Sequence, residues 1–491
     1  MLSLDHASRG ARPLAWAFAR SLEDLDEEVD TPLACDLGEA PSALNGLLFR
    51  NGTGRLSRGG VTYGHLFDGD GMLSRFTFER GRVRYRNRFL RTREWVEEQR
   101  AGKIVYRGFG TNIPGGFAQN ALRLRFKNAA NTSVIQHVGK LLALWEGGLP
   151  HWVDPASLDT LGRYDFDEAL IERHPVLRHL APELPFSAHP KFADGALYNF
   201  GTLLGAAPQL LLYRVDAAGV MGPVERVVLP ALSFVHDFVL TERHRVFVLP
   251  PVAFDVPRAL LGLVTPVRSL SSAAGKPTRV LVLPRDAPGP ARWFEAPSGF
   301  VFHWVNGYDD GDAVVVEGFC AREMPLAASV STLKEAPPLG LSASRLTRMT
   351  LTPGQTKASL SALEGWHGEL PQVHPLYRGK PYRYAWSIGT HDGAGEGLFD
   401  HLLKFDRQSI MVLSHRFEGA QLPGEPVMVP RPGAKAEDDG WLLSLVYDGE
   451  AHRSRLYCLD AATLAVCARW SLPHHQPPGF HGFWQPLDTG G

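Results

Sequence analysis

Apolar and polar residues alternate in short stretches along most of this chain, and turns rich in glycine and proline separate the stretches. Alternation with period two, bounded by such turns, is the pattern of half-buried strands. Helical periodicity is scarce beyond the first ~30 residues. A loose repeat emerges when segments of the form strand–turn–strand are aligned: Phe76–Gly81, His151–Pro155, Leu211–Asp216, Leu281–Asp286, Met349–Gly354, Leu403–Asp406 and Leu456–Asp460. Their turn positions, 79, 154, 216, 286, 352, 406 and 460, are 54 to 75 residues apart, which leaves room for an extra strand or two in each interval. The pattern predicts an all-β chain of seven four-stranded blades, a seven-bladed β-propeller, with helices and loops capping its top face. An irregular sandwich with coincidental turns is the competing arrangement. Residues 1–44 read as a partly helical N-terminal extension and 45–491 as the propeller.

Composition narrows the function classes. The chain has 44% hydrophobic and 21% charged residues, which suits a globular protein with a large core. A formal net charge of -1 leaves no basic stripe to neutralise phosphates, so nucleic acid is not expected as a partner. The cysteines Cys35, Cys320, Cys458 and Cys467 include no CxxC pair, which argues against a thiolate metal site. Cys458 and Cys467 read as two reduced thiols on a strand pair. Met1–His6 shows no charged-then-apolar signal pattern, and no apolar run approaches the ~20 residues needed to span a bilayer. The chain therefore reads as cytoplasmic, with any membrane contact at the surface.

Four distant segments each carry one histidine among apolar or aromatic neighbours: Ala188-His189-Pro190-Lys191, Phe234-Val235-His236-Asp237-Phe238, Phe302-His303-Trp304 and Phe480-His481-Gly482. In a propeller, one residue from each of several blades can meet on the axis, so the four are candidates for a shared metal. Neutral imidazole suits iron, zinc, copper and nickel. Octahedral iron with four such ligands keeps two open positions, whereas tetrahedral zinc would be closed and structural. Each ligating ring needs a hydrogen-bond partner on its second nitrogen, and Glu146, Glu369 and Glu425 stand in compact settings able to supply one. On local sequence alone, each of these reads more readily as a surface turn residue. Among the 19 histidines, His65, His391 and the pair His474-His475 are the rivals. Neighbours on a strand face opposite ways, which discounts the pair. His236-Asp237 lies in a strand-like run, unlike the helical His-Asp pairs of metal phosphohydrolases. Gly393–Gly397 lacks the lysine and the helix of a phosphate loop and reads as a turn.

Ordered blocks from about residue 45 to 484 resemble the carotenoid cleavage oxygenase family, and within it the bacterial apocarotenoid-cleaving branch. They include Arg50-Asn51-Gly52, Phe67–Met72, Gly102–Gly108, Ala130-Asn131-Thr132, Leu142–Gly148, Gly424-Glu425-Pro426 and Ala436–Leu443, together with the four histidine segments. The resemblance implies a seven-bladed propeller with Fe(2+) held by His189, His236, His303 and His481. Glu146, Glu369 and Glu425 would support His236, His303 and His481 in some order, and Thr132 would crowd one vacant iron position. The implied reaction adds O2 across a conjugated C=C bond of an apocarotenoid, at the central 15,15′ bond, and gives two carbonyl products. No flavin, haem or nicotinamide is implied.

Cleaving an apolar polyene calls for a tunnel more than for acid–base groups. Trp145, Phe234 and Phe302 are candidate tunnel walls, with ordinary core packing as the alternative. Two segments depart from the family pattern: Trp304-Val305-Asn306-Gly307, and Leu370 where a phenylalanine often follows the glutamate. Both bear on substrate choice through the tunnel. The apolar stretch 252–264 is too short to span a membrane and is similar to a family surface that dips into the bilayer, which implies peripheral contact. Two other functions stay open: a stilbene-cleaving oxygenase on the same fold, and a non-catalytic carotenoid-binding propeller. An isomerohydrolase is disfavoured because 252–264 lacks the cysteine of that branch.

Overall fold

A computed structural model describes residues 11–174, 182–205, 207–273, 275–287, 289–324, 326, 328–335, 344–363, 365–390 and 398–487. Met1–His6, His391 and Gly393–Gly397 lie outside the described residues. The chain is mostly strand and folds as a seven-bladed β-propeller. The first blade orders its strands Gly479–Pro486, Gly46–Arg55, Asp70–Glu79, Arg82–Phe89 and Asp30–Leu33. Blades two to six begin at Ser133–His137, Lys191–Ala193, Val239–Leu240, Phe300–Asp310 and His367–Val373, with four strands each. The seventh pairs Val427–Pro430 and Gln421–Pro423 with Gly440–Asp448, then continues through Arg453–Asp460, Val466–Ser471 and Cys35–Gly38.

All seven turns of the sequence repeat fall between the third and fourth strands of a blade. Asp30–Leu33 and Cys35–Gly38 pair onto the edges of the first and seventh sheets, where they cover otherwise open backbone groups. The seventh gains a further strand because Gln421–Pro423 and Val427–Pro430 both pair with Gly440–Asp448. Alternation is clearest in Arg82–Phe89, where Val83, Tyr85, Asn87 and Phe89 are buried between outward arginines. Cys458 and Cys467 lie on paired strands, with a bulge beside Cys458, and both are free thiols. Among the described residues no helix is long and apolar enough to cross a membrane.

Packing divides the chain into two compact units. One comprises residues 1–49, 74–87 and 300–491, and the other 50–73 and 88–299. In the first, aromatic residues fill the spaces between sheets. Trp366 and Trp386 are fully buried, and each indole N–H finds an acceptor, Ser387 Oγ at 3.0 Å and Ala461 O at 3.0 Å. In the second, Leu142, Leu144, Phe186, Leu197, Leu211 and Tyr213 form one such layer. This unit also holds the short helix Arg93–Ala101, capped by Thr92 Oγ1 at its start and ended by Gly102 in the left-handed conformation (φ 61°). Between the second and third strands of its fourth blade, the ribbon Val252–Phe254/Leu270–Ser272 carries the helices Val256–Leu260 and Pro266–Ser269.

Candidate metal centre

In the unit of residues 50–73 and 88–299, His189 and His236 precede the first strands of blades three and four. Both are buried, and their Nε2 atoms stand 3.0 Å apart. Glu146, just beyond the strand Lys140–Leu144, places Oε1 2.5 Å from His236 Nδ1 and 3.9 Å from His189 Nε2. The His189 N–H donates to Ser187 Oγ at 3.2 Å, which fixes the backbone that carries the ring. Asp237, next to His236, is occupied otherwise: its Oδ1 lies 2.7 Å from Lys191 Nζ and accepts the Phe238 N–H at 2.8 Å.

Thr132 is buried, and its N–H donates to Leu144 O at 3.0 Å, which sets it beside the chain leading to Trp145 and Glu146. Trp145 is half-buried, and its ring folds back over Gly147, where a Cβ would meet ring carbon at 2.7 Å. Glycine at 147 therefore leaves room for the indole. Phe234 is half-buried and stacks on Phe109 with ring centroids 6.1 Å apart. Phe109 stacks in turn on Phe67, so these rings form an aromatic row that the sequence reading missed. The rival His65 packs edge-on against Phe67 and Phe109, and its Nδ1 accepts the Phe67 N–H at 3.2 Å as a helix cap.

In the other unit, His303 lies on Phe300–Asp310 and His481 on Gly479–Pro486. Their rings meet edge to face, with centroids 4.7 Å apart. His303 Nδ1 lies 2.6 Å from Glu369 Oε2, and the Leu370 N–H donates to that same oxygen at 3.1 Å. His481 Nδ1 lies 3.0 Å from Glu425 Oε1, while the Gly482 N–H donates to Oε2 at 2.9 Å. The strands bearing His303 and Glu369 both carry register shifts, between Val301 and Asn306 and between Glu369 and Gln372. Leu370 takes a positive φ of 52°. Such bulges re-aim side chains out of the regular alternation. Phe302 is buried against Phe300, and Leu370 is half-buried beside the layer of Trp386 and Ile388. His474 and His475 turn elsewhere, His474 Nδ1 to the His475 carbonyl at 2.7 Å and His475 Nε2 to the Glu23 carbonyl at 3.2 Å.

His303 and His481 thus hydrogen-bond Nδ1 to a carboxylate, the tautomer-fixing arrangement of metal-ligating histidine that leaves Nε2 as the donor, and His236 turns Nδ1 toward Glu146 at ion-pair distance. Nitrogens at right angles and about 2.1 Å from one ion would be about 3.0 Å apart, against about 3.4 Å in a tetrahedron. The 3.0 Å between His189 and His236 matches the former. The donor set fits a divalent metal.

The family described as Retinal pigment epithelial membrane protein matches residues 22–486. The chain is 33% identical over 490 residues to the apocarotenoid-15,15'-oxygenase of Synechocystis sp., covering 97% of each sequence. It is 28% identical to resveratrol cleavage oxygenase 1 of Aspergillus fumigatus, over 91% of both. The crystal structure of cobalt-substituted Synechocystis apocarotenoid oxygenase superimposes with a TM-score of 0.87 at 33% identity, covering 97% of this chain and 99% of that one. This chain belongs to the retinal pigment epithelial membrane protein family, the carotenoid cleavage oxygenases.

Proposed function

We propose that this protein is a non-haem Fe(II) oxygenase that uses O2 to cleave the central 15,15′ double bond of an apocarotenoid into two carbonyl products. His189, His236, His303 and His481 hold the iron, and Glu146, Glu369 and Glu425 orient three of the rings. The observation that carries the reading is the set of three imidazole–carboxylate pairs, at 2.5, 2.6 and 3.0 Å, on segments that sequence separates widely. The 33% identity to the Synechocystis apocarotenoid-15,15'-oxygenase, spanning both chains, supports the substrate class.

Bound iron would supply the centre at which O2 becomes reactive toward a C=C bond. Four neutral rings leave the charge of a dication uncompensated, and the three carboxylates behind them offset it. Because these carboxylates hold the rings through Nδ1, each ring is locked before substrate arrives. Thr132 restricts one side of the centre, and Trp145, Phe234, Phe302 and Leu370 supply an apolar wall that binds the polyene and excludes water. The overall change breaks one C=C and one O–O bond and forms two C=O bonds. Four electrons pass from the two carbons to O2, and no proton is gained or lost. This accounts for a site without paired acid and base groups.

The polyene reaches the protein from a membrane surface. Val256, Leu260, Leu261 and Leu263 are exposed, as are Phe117, Leu122 and Leu124 on a neighbouring segment. The two segments are joined by Leu122 N–H donating to Leu260 O at 2.8 Å. Beneath them, the buried Arg107 guanidinium donates to Ala259 O at 2.9 Å and Val264 O at 3.3 Å. A rigidly held apolar face rimmed by exposed Arg123, Arg125, Arg258 and Arg268 suits the interface of an anionic bilayer. The substrate reading is tested by incubating the iron-loaded protein aerobically with an apocarotenal and, separately, a hydroxystilbene. Two carbonyl products from the apocarotenal support it; turnover of the stilbene alone transfers the protein to the stilbene-cleaving group, and turnover of neither contradicts it.

A further inference from the structure

The three supporting carboxylates are not equivalent. Glu146 and Glu369 approach their rings at 2.5 and 2.6 Å, whereas Glu425 stands 3.0 Å from His481 and shares the oxygen it offers with a second side chain. That oxygen, Oε1, also accepts from Gln372 Nε2 at 3.0 Å. Gln372 Oε1 in turn accepts from Arg378 Nη2 at 3.2 Å. The amide orientation follows from this chain of bonds. Reversed, it would set the Gln372 NH2 against the guanidinium donors and its carbonyl against the carboxylate.

Arg378 is itself placed with care. It follows the turn Pro375–Tyr377, started by His374 Nδ1 accepting the Leu376 N–H at 3.2 Å. Asn306, three residues beyond His303 on the same strand, clamps the far side. Its Nδ2 donates to Tyr377 O at 2.8 Å and Lys380 O at 3.1 Å, and its Oδ1 accepts the Gly379 N–H at 2.9 Å. Gly379 takes a φ of 75°, a conformation that favours glycine. Arg378 is an exposed residue, and its protein surroundings lower its guanidinium from the ordinary arginine value by desolvation, with Glu425 acting the opposite way. An arginine stays charged through such a shift.

We propose that Gln372 and Arg378 are positioning residues for His481: Arg378 fixes the Gln372 amide, Gln372 fixes Glu425, and Glu425 fixes the ring. The inference rests on the reading of His481 as a metal ligand. It makes the Gln372–Arg378 pair the device by which the loop after His374 sets the His481 imidazole. Outer partners of a metal ligand are worth about 10–100-fold in affinity, and a group one bond further out belongs near the low end.

The test is an anaerobic Co2+ titration of metal-free protein against a competing chelator, read as a dissociation constant and as the visible absorption bands of bound cobalt. Gln372→Leu is expected to weaken binding about tenfold and to shift the bands. Arg378→Met, on an exposed loop that tolerates the change, is expected to weaken it about 3–10-fold, with Arg378→Lys restoring most of the loss. Wild-type affinity and unchanged bands in Gln372→Leu and Arg378→Met, while His481→Ala binds poorly, would overturn the inference alone. Unimpaired binding in His481→Ala would overturn the ligand reading on which it rests.

Discussion

Lys127→Met removes one charge from a buried ionic cluster, and its cost can be worked from the structure. Lys127 Nζ lies 2.5 Å from Asp70 Oδ1, 3.0 Å from Glu98 Oε2 and 2.7 Å from Tyr63 Oη. Arg58 pairs with Asp70 and lies 3.7 Å from Glu98, and the side chains of Lys127, Asp70 and Glu98 are almost entirely shielded from water. Arg55, partly exposed, reaches Asp70 at 3.9 Å from the edge of the cluster. Burial alone would push the Lys127 ammonium down, but Asp70, Tyr63 and Glu98 together raise it above the ordinary lysine value. Methionine strips both carboxylates of their buried ammonium partner and leaves them to share Arg58, with Arg55 reaching Asp70 only from the partly exposed edge. Breaking such a buried set costs about 3–5 kcal/mol.

The loss would spread toward the proposed centre. Lys127 opens the run to Ser133, in which Asn131 Nδ2 donates to Phe67 O at 3.1 Å and Gly69 O at 2.9 Å, immediately before Thr132. Urea unfolding followed by tryptophan fluorescence reads the cost as a midpoint shift at constant slope. Lys127→Met combined with Asp70→Asn removes one charge of each sign and keeps Arg58 beside Glu98, and it is expected to cost less than Lys127→Met alone. A single variant within about 1 kcal/mol of wild type, or a double variant that simply adds the two losses, would refute the reasoning.

Two other outcomes follow from the same structure. Asp30 joins Asp30–Leu33 to Arg82–Phe89; burial would raise its carboxyl, but hydrogen bonds from Arg84 (2.6 Å) and Arg86 (2.9 Å) hold it down at about 2. Its folded value lies below its unfolded one, so its contribution is complete above about pH 4 and lost as pH falls through 2. Asp30→Asn is expected to lower stability by about 1 kcal/mol at pH 7 and by progressively less below pH 4, read as thermal midpoints; a pH-independent difference would contradict this. Paired Leu122→Asp and Leu263→Asp substitutions are expected to abolish sedimentation with anionic vesicles while leaving the thermal midpoint within a few degrees; vesicle binding equal to wild type would remove the membrane proposal.

The propeller was legible because its turns are written locally. Glu79, Asp154, Asp216, Asp286, Thr352, Asp406 and Asp460 mark the same hairpin in each blade, and period-two alternation flanks them. The edge strands Asp30–Leu33 and Cys35–Gly38 were not legible, since their short polar-mixed stretches gain strand character only by pairing with distant strands. At the candidate centre, the histidine and glutamate segments stood out by their neighbours. Which carboxylate serves which ring depends on bulges at Val301–Asn306 and after Glu369, and bulges are set by strand register, not local sequence. Gln372 and Arg378 carried no signal because each matters only through the next residue in a hydrogen-bond chain. Leu122 and Leu124 likewise gain meaning only beside Leu260 and Leu263. Arg107 could have been suspected from Tyr106-Arg107-Gly108, yet its acceptors lie about 150 residues on.

The most direct test of the central claim is elemental analysis of anaerobically purified protein, wild type beside His236→Ala, with thermal midpoints as a control for folding. The account predicts nearly one iron per chain in the wild type and a large loss in the folded variant. Zinc or no metal in active wild type, or full iron in the variant, would contradict it.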